Sequence, residues 1–512
     1  MTEEPPRRDR MLLRSALAGL LIVLLTAGAS ATAALLELEK YVPPPDKGPP
    51  IVDPGSVEVP KPGKAQTLLL LGSDRRWIDK KNGDPARSDT MMLVRMDPDE
   101  SATTVLSIPR DLRTYIPGHG YMKINDSYAL GGPDLTVRTI RELTGLKINH
   151  VVNVNFGGFR EAVNALGCFY IDVDRRYFHS NDGLPVGQRY AEIDVPAGYQ
   201  RLCGQDSLDY VRFRHADNDL VRAARQQDYL RSAKDQLSTS SLINDREKLS
   251  DIFGRHTQTD RNLSTFSGFL RLLKLGLYSA TKPVRQMEFP ARFAKDFVGE
   301  QEVDFVEASP EDVAAVVDDF MHGGEDQDEP EPLSGGSGAT KRKPRPKSLE
   351  GLVAAGEMVD GREVGRTLVS RAKGKRKLEI PLRFPAYLTA NGRYSEGSGE
   401  QNPRIYEIRD RADKPHTAYR FTVVESVVEG AYYGVQGTTW GTPPLLAHPS
   451  AVRRVDGRTL ELFRSGKKLR FVAWRTSAGV YWISNTLTMK LRDDQMLALA
   501  ASLTTAKAAK KK

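Results

Sequence analysis

With 512 residues, of which 39% are hydrophobic and 27% charged, the chain has the composition of a globular protein, which excludes disorder throughout its length. The length is sufficient for two or three domains that each bury a core of their own. The net charge of +8 at pH 7 is a mild excess, part of which lies in the terminal stretches PPRRDR and AKAAKKK, so charge alone does not predict a nucleic-acid-binding surface.

The first predicted element is an uncharged apolar stretch at 16–36, which follows four arginines. About 20 apolar residues, each rising 1.5 Å in a helix, are long enough to cross a hydrocarbon core of about 30 Å. We predict a cytoplasmic tail at 1–14 and a single transmembrane anchor at 15–38 in the cell membrane, with the rest of the chain outside the cell. A cleaved signal peptide is the alternative, because small residues end the stretch. Both readings export the protein, which excludes nucleic acid as a partner.

A proline-rich spacer, 39–65, separates the anchor from a first predicted domain at 66–320. Strands alternate there with helices, a pattern that predicts an α/β fold. The predicted strands are 67–71, 90–96, 103–108, 150–154 and 284–291, and the predicted helices are 133–144, 156–166, 222–240, 263–277 and 310–320.

Export also predicts the oxidation state of the two cysteines. In an oxidising compartment Cys168 and Cys203 are expected to pair as a disulfide. Two separate buried thiols are the alternative. A catalytic thiol is disfavoured, since neither cysteine lies beside a candidate histidine base.

Acidic, Gly/Ser-rich and basic Pro-rich blocks follow the first domain and predict a disordered linker at 321–377. Turn signals between alternating apolar residues then predict a smaller, mainly-β accessory domain at 378–504, which ends in one helix and is followed by a basic tail at 505–512. Its aromatic residues either form a sugar-stacking face or, as is more usual on strands, belong to the core. These residues are Tyr432, Tyr433, Trp440, Trp474, Tyr481 and Trp482.

The stretch YVRFRHADNDLVRAARQQ, residues 210–227, concentrates arginines in the first domain. A strand there places Arg212 and Arg214 on one face. A helix from Asp219 then places a second set of residues along one side, namely Arg222, Arg225, Gln226 and Tyr229. Arginines from both elements can converge on one anion, and their forked guanidinium groups suit phosphate. A solvated basic rim is the alternative interpretation.

Charged residues also stand at three predicted strand ends, which is where α/β sheets usually bind ligands. LLLLGSD ends in Asp74, and RSDT places Arg87 and Asp89 just before the next strand. SIPRD contributes Arg110, and KIND contributes Lys123 beyond a loop. Each of these motifs is weak alone.

Taken in order, the motifs LLLLGSD, RSDT, SIPRD, KINDSYALGG and YVRFRHADNDLVRAARQQ resemble those of the LytR-CpsA-Psr family over about residues 66–320. The resemblance implies a layered α/β/α core with a mixed central sheet. It also implies a membrane-anchored phosphotransferase that moves a glycopolymer from a polyprenyl-pyrophosphate carrier to peptidoglycan through a phosphodiester bond, with Mg²⁺ as cofactor. A hydrolase of the same lipid, and a non-catalytic envelope protein that binds polyprenyl phosphate or glycan, remain the alternatives.

The resemblance carries over residue by residue. It implies that Asp74 and Asp89 hold the metal. It assigns catalytic arginines around the pyrophosphate at Arg87, Arg110, Arg212 and Arg214, and substrate-binding positions at Lys123, Asp219, Arg222 and Gln226. Members with a disulfide in this region fit the pairing of Cys168 with Cys203. One departure is Val221, where the family usually has a glycine before the helix arginine.

Overall fold

The computed structural model describes residues 51–53, 55–61, 63–74, 87–185, 189–213, 219–237, 257–263, 272, 275, 282, 284–287, 289–298, 301–322, 348–372, 378–395, 401–455 and 457–508. The predicted anchor, 15–38, lies outside these residues, as does nearly all of the predicted helix at 263–277. No helix in the described ranges combines the length and the apolar character needed to cross a membrane.

The first domain is built around a mixed sheet. Its strands are β1 (Gln66–Asp74), β2 (Arg87–Met96), β3 (Thr103–Ile108), β4 (Arg113–Ile116), β5 (Gly120–Lys123), β6 (His150–Asn155), β7 (Phe169–Val173), β8 (Tyr177–His179), β9 (Ile193–Val195), β10 (Gly198–Leu202), β11 (Thr257–Thr259), β12 (Val284–Met287), β13 (Arg292–Val298) and β14 (Gln301–Glu307). Six of them form one sheet in the order β11-β6-β1-β2-β3-β12. The pairs β1–β6 and β3–β12 are parallel, whereas β2 runs antiparallel to both of its neighbours.

Helices cover both faces of this sheet. They are α1 (Asp126–Thr144), α2 (Phe156–Ala165), α3 (Gly204–Arg212), α4 (Asp219–Gln236) and α5 (Pro310–Met321). Side chains alternate between the faces of a strand, so Leu69 and Leu71 join the core beneath α1 and α5, whereas Leu70 packs with Leu230 of α4 on the other face. The α/β class and the layered arrangement that the sequence predicts are confirmed.

The predicted helix at 133–144 is the second half of α1. The helix breaks at Gly131 and Gly132, which have non-helical backbone angles, and resumes at Pro133. Proline suits the first turn of a helix because its nitrogen has no hydrogen to leave unpaired. The first half of α1, from Asp126, is an element that the sequence analysis did not predict.

The second domain is mainly β, as predicted. Its elements are α6 (Leu349–Ala354), β15 (Met358–Asp360), α7 (Arg362–Ala372), β16 (Arg383–Pro385), β17 (Tyr387–Thr389), β18 (Arg393–Tyr394), β19 (Arg404–Arg409), β20 (Pro415–Ser426), β21 (Ala431–Thr438), β22 (Ala451–Val455), β23 (Arg458–Ser465), β24 (Lys468–Thr476), β25 (Gly479–Ser484), α8 (Asp493–Ser502) and β26 (Leu503–Thr505). Eight of these strands, β18 to β25, form one antiparallel sheet that packs against α8.

One expectation about this domain is wrong, and one pair of alternatives is decided by burial. The predicted linker, 321–377, contains α6, β15 and α7, and Leu352 and Met358 from these elements are buried in the core of the second domain. The second domain therefore includes the residues from 348 onward, because apolar side chains of that stretch are packed in its core. Of the two interpretations of the aromatic residues, the more usual one holds. Five of the six are at most 7% exposed and belong to the core, and Tyr432 contacts the Arg175 guanidinium.

The two domains share a buried interface. Aromatic side chains from both form one apolar cluster, in which Tyr170 and Tyr199 of the first domain pack with Trp440 and Trp482 of the second. Beside it, the Asp172 carboxylate on β7 accepts hydrogen bonds from three side chains of the second-domain sheet. These are Arg420 at 2.7 Å, Gln436 at 2.5 Å and Ser484.

The predicted disulfide is present. Cys168 and Cys203 are bonded, with 35 residues of sequence separation. Cys168 follows α2, and Cys203 directly precedes α3. The bond therefore ties the start of α3 to the end of α2, where Gly204 also packs against the Arg160 carbonyl.

We expect the double variant Cys168→Ser/Cys203→Ser to lose about 3 to 4 kcal/mol of unfolding free energy, because opening the loop returns conformational entropy to the unfolded chain. Denaturant titration of residues 39–512 without reductant measures this loss. Dithiothreitol should destabilise the wild type to a similar extent and leave the double variant unchanged. Equal stability of the two proteins would contradict the expectation.

Candidate functional site at one edge of the sheet

The charged strand ends of the first domain meet at one edge of the central sheet. Because β2 is antiparallel to β1 and β3, its first residues lie beside the last residues of those strands. Asp74 is opposite Arg87 in the ladder, and a register shift leaves Asp89 as an extra residue on β2. The side chains of these three residues lie outside the described part of the structure, but their backbone positions bring them together as predicted.

The segment that carries Arg212 is a helix and not a strand. Residues Gly204–Arg212 form α3. Tyr210 in this helix and Phe213 directly after it are buried, while Val211 is partly exposed. Tyr210 and Phe213 are three positions apart, which is the spacing of buried residues on a helix. In a strand the buried face would carry Val211 and Phe213, and Tyr210 would be on the other face. Arg214 lies outside the described residues, so its predicted alignment with Arg212 stays a prediction.

Arg212 is held in place at the end of α3. Its Nη2 and Nε atoms donate to Asp209 Oδ1, at 2.7 and 3.1 Å, and its guanidinium lies 5.5 Å from the centre of the Phe156 ring. Phe156 directly follows β6, whose last residue Asn155 pairs with Ser73 of β1. The arginine therefore lies at the same edge of the sheet as Asp74.

Gln226 connects the helix α4 to this edge. Its side-chain amide donates to Thr90 Oγ1 at 3.0 Å and to the Val211 carbonyl at 3.1 Å. Arg222 lies one turn earlier on α4 and is buried. The bonds of Gln226 place α4 between the start of β2 and the end of α3, so the predicted residues of three separate elements are neighbours.

Asp219 and Arg225 are the other two residues of α4 that concern the site. Asp219 begins the helix, and its side chain lies outside the described residues. Arg225 is fully buried, donates to the Phe213 carbonyl at 2.6 Å and lies over the Tyr177 ring. Arg225 therefore holds the end of α3, from the side of the helix that it shares with Arg222 as i and i+3.

Arg110 and Lys123 share one carboxylate. Arg110 Nε lies 3.5 Å from Asp111 Oδ2, and Lys123 Nζ lies 3.3 Å from Asp111 Oδ1. The backbone N–H of Asn125 donates to the Arg110 carbonyl at 3.1 Å, and this bond holds the KIND motif against the end of β3. Two cations around one anion leave this group with a net positive charge.

Sequence analysis missed Asp209, Phe156 and Thr90, which hold the site residues. Asp209 is three residues before Arg212, a spacing that pairs charges on a helix but was hidden by the strand interpretation. Phe156 could have been found too, since it is the first residue of the predicted helix 156–166 and closely follows the predicted strand 150–154, at a strand end. Nothing in the sequence marks Thr90 as the partner of Gln226.

Two tyrosines lie on the helices that carry the arginines. Burial is the main cause that raises the pKa of Tyr210 on α3 and of Tyr229 on α4 above the ordinary value. Both phenols are therefore protonated at physiological pH.

The predicted metal ligands suit Mg²⁺ by type and position. Mg²⁺ keeps several waters and is usually bound by one or two carboxylates together with substrate phosphates. Asp74 and Asp89 are two carboxylates on neighbouring strands at the edge where the arginines gather. In the described ranges no group of three or more His, Cys, Asp or Glu side chains is arranged to hold a metal.

A model of the LytR_cpsA_psr family matches residues 41–313, which is more than half of the chain. The chain belongs to this family. The match contains the sheet, α1 to α4 and every predicted site residue, so the sequence resemblance is confirmed.

Named members of the family are similar over this region. The polyisoprenyl-teichoic acid–peptidoglycan teichoic acid transferase TagT of Bacillus subtilis (strain 168) is 35% identical over 213 residues, which are 40% of this chain and 64% of TagT. TagU of Enterococcus faecalis (strain ATCC 700802 / V583), which has the same transferase name, is 32% identical over 245 residues, or 46% of this chain and 74% of TagU. The match thus spans a little less than two thirds of TagT. A solved structure of TagT bound to LI-WTA is 27% identical, with a TM-score of 0.39 over 52% of this chain and 93% of that one.

Proposed function

We propose that this protein transfers a glycopolymer from a polyprenyl-pyrophosphate carrier to peptidoglycan through a phosphodiester bond, at the outer face of the cell membrane. The names of the related transferases support this reaction class. The observation that carries the proposal is the pair of hydrogen bonds from Gln226 to Thr90 and to Val211, because they join α4, β2 and α3 around one site. Arg87, Arg212 and Arg222 are carried by these three elements.

The arginines supply what phosphoryl transfer requires. This reaction depends on positioning and on neutralising the charge of the phosphate oxygens more than on a protein nucleophile. Arg212 is already oriented by Asp209 and Phe156, so little rotamer freedom is lost when it binds an anion. Arg222 is buried, and charge interactions are stronger where water is excluded.

The proposed reaction is a direct displacement at phosphorus. A sugar hydroxyl of peptidoglycan attacks the phosphorus that bears the glycopolymer, and a new P–O bond forms. The bond from that phosphorus to the bridging oxygen breaks, and polyprenyl phosphate leaves. Asp89 is our candidate for the carboxylate that takes the hydroxyl proton, since it lies at the same edge as Arg87.

We propose Asp74 and Asp89 as the residues that hold the Mg²⁺ cofactor. When bound, the ion neutralises charge on the phosphate oxygens. The carboxylates and the arginines then have complementary tasks. The former bind the metal, while Arg212 and Arg222 contact the pyrophosphate directly.

Removing the metal is expected to abolish transfer. With EDTA in excess we expect transfer to fall by at least about a hundredfold, because a cation at the phosphates stabilises the transition state by several kcal/mol, and added Mg²⁺ should restore it. Asp74→Asn and Asp89→Asn should raise the Mg²⁺ concentration needed for half-maximal rate. The matched control is Asp360→Asn, an exposed carboxylate of the second domain, which should leave that concentration unchanged. Full activity in EDTA would refute the metal proposal.

Reconstitution tests the function as a whole. The full chain in detergent is incubated with a radiolabelled, polyprenyl-pyrophosphate-linked sugar, Mg²⁺ and purified peptidoglycan. We expect labelled sugar phosphate on the wall and an equal amount of released polyprenyl phosphate. Release without labelled wall would show a hydrolase, and binding without release would show a carrier-binding protein. Either result would overturn the proposal.

A further inference from the structure

The helix α4, which carries Arg222 and Gln226, is clamped from behind by the second domain. Val221, Asp228 and Ser232 recur at intervals of seven and four residues, so they lie along one side of the helix. Each of them meets a residue of the second domain. Arg222 and Gln226 lie on a different side, about a quarter to a third of a turn or more around the helix axis.

The middle of α4 is held by a buried ion pair. Arg470 on β24 lies 2.6 Å from Asp228, and both side chains are only 8% exposed. The same guanidinium donates to Ser232 Oγ at 2.8 Å. Arg411 donates at 3.0 Å to the carbonyl of Gln236, the last residue of the helix. A charge pair in this environment allows few alternative positions of the helix.

The start of α4 is held by close packing. The turn between β20 and β21 places Gly430 against Val221, so closely that a Cβ atom on Gly430 would lie 2.9 Å from Val221 Cγ2. Val221 is 1% exposed. The departure from the glycine of the family pattern thus has a physical counterpart, because the valine side chain fills the space that Gly430 leaves.

We propose that the second domain is part of the active site, with Gly430 and Arg470 as positioning residues for Arg222 and Gln226. The inference rests on the proposed function only for its reaction. Val221 is adjacent to Arg222 in the chain, so a displacement of Val221 moves Arg222 as well. A displacement of about 1 Å of a group that positions substrate can cost about a hundredfold in rate.

Gly430→Ala in the full chain tests the packing contact, and Gly466→Ala is its matched control. Gly430 has φ +58 and Gly466 has φ +57, so an added methyl group strains both backbones alike. Only Gly430 has a neighbour in the way, since a Cβ on Gly466 meets nothing within 4 Å. We expect both variants to be folded at the assay temperature, with a kcat about a hundredfold lower for Gly430→Ala alone.

A second-site change separates positioning from general damage. In the Gly430→Ala background, Val221→Ala removes the two methyl groups that the new Cβ meets. We expect it to restore kcat to within a few-fold of Val221→Ala alone. Equal turnover of Gly430→Ala and Gly466→Ala, or no recovery in the double variant, would overturn the inference.

Hydrogen exchange decides the same question without the reaction. Gly430→Ala and Arg470→Met are expected to speed amide exchange in α4, whereas Gly466→Ala and Arg475→Met, which breaks an ion pair with Glu461 nearer the surface, are not. Unchanged exchange in α4 would count against the clamp. If the wild type lacks transferase activity but the exchange pattern is as expected, the proposed function fails and the structural coupling stands.

Discussion

Replacing Arg212 with alanine is expected to lower the rate of glycopolymer transfer by about 100- to 1,000-fold, as is found when one preorganised donor is removed from a charge-stabilising site. The side chain is oriented in the structure by Asp209 and by the Phe156 ring. The effect should lie mainly in kcat, because charge on the leaving phosphate is greatest in the transition state. Transfer of labelled sugar to peptidoglycan at saturating carrier measures it.

The controls for Arg212→Ala take account of Asp209, which loses its ion-pair partner in this variant. Asp209, with an 8% exposed side chain, keeps its bonds from Gln205 but loses the arginine, which can cost stability. The double variant Arg212→Ala/Asp209→Asn removes that charge and should be as inactive as the single variant. Arg160→Ala removes an exposed arginine bonded to Gln205 and should retain full turnover. If Arg212→Ala kept more than about a tenth of the wild-type rate, this assignment would be wrong.

Five of the six strands of the sheet were predictable because their central residues are mostly apolar, whereas β11, with the sequence TQT, has no apolar residue and was not predicted. The strand at 103–108 has the predicted bounds, and those at 67–71, 90–96 and 150–154 extend by one to three residues at one or both ends. Strands covered on both faces are near-continuous apolar runs, which local sequence reveals. The residues beyond the predicted ends are polar, and these include Asp74, Arg87 and Asp89 of the site.

The helix α3 was not predictable because its sequence fits two periods. In DYVRFR, apolar and charged residues alternate as in a strand, while Tyr210 and Phe213 also have a helical spacing. Tertiary contacts settle the choice. The disulfide at Cys203 and the close approach of Gly204 to α2 fix the start of a helix there.

The interface between the domains was hidden from the sequence for a different reason. Asp172 and Arg420 are 248 positions apart, and Asp228 and Arg470 are separated by a similar length of chain. No local pattern distinguishes a buried carboxylate with a distant partner from one in solvent. The contacts of the second domain with α4 therefore follow from the tertiary structure and not from the sequence.

Replacing Asp172 with alanine is expected to lower the free energy of unfolding by about 3 to 5 kcal/mol, because it leaves the Arg420 charge buried without its partner. The two side chains are 3% and 0% exposed, and Arg420 Nη1 lies 2.7 Å from Asp172 Oδ1. The loss is larger than that of one neutral hydrogen bond because a lone buried cation has neither water nor a counter-charge. Denaturant titration of residues 39–512 measures it.

Asp194→Ala is the matched control, since Asp194 forms a two-point contact with Arg176 but is 52% exposed. An exposed pair of this kind is expected to contribute at most about 1 kcal/mol. The double variant Asp172→Leu/Arg420→Met removes both charges and should recover much of the stability, since apolar side chains of similar volume often replace a buried pair without loss. If Asp172→Ala cost no more than Asp194→Ala, the pair would be too well hydrated to hold the domains together, and the second domain would have to be positioned by its other contacts, among them the aromatic cluster and the Asp228–Arg470 pair.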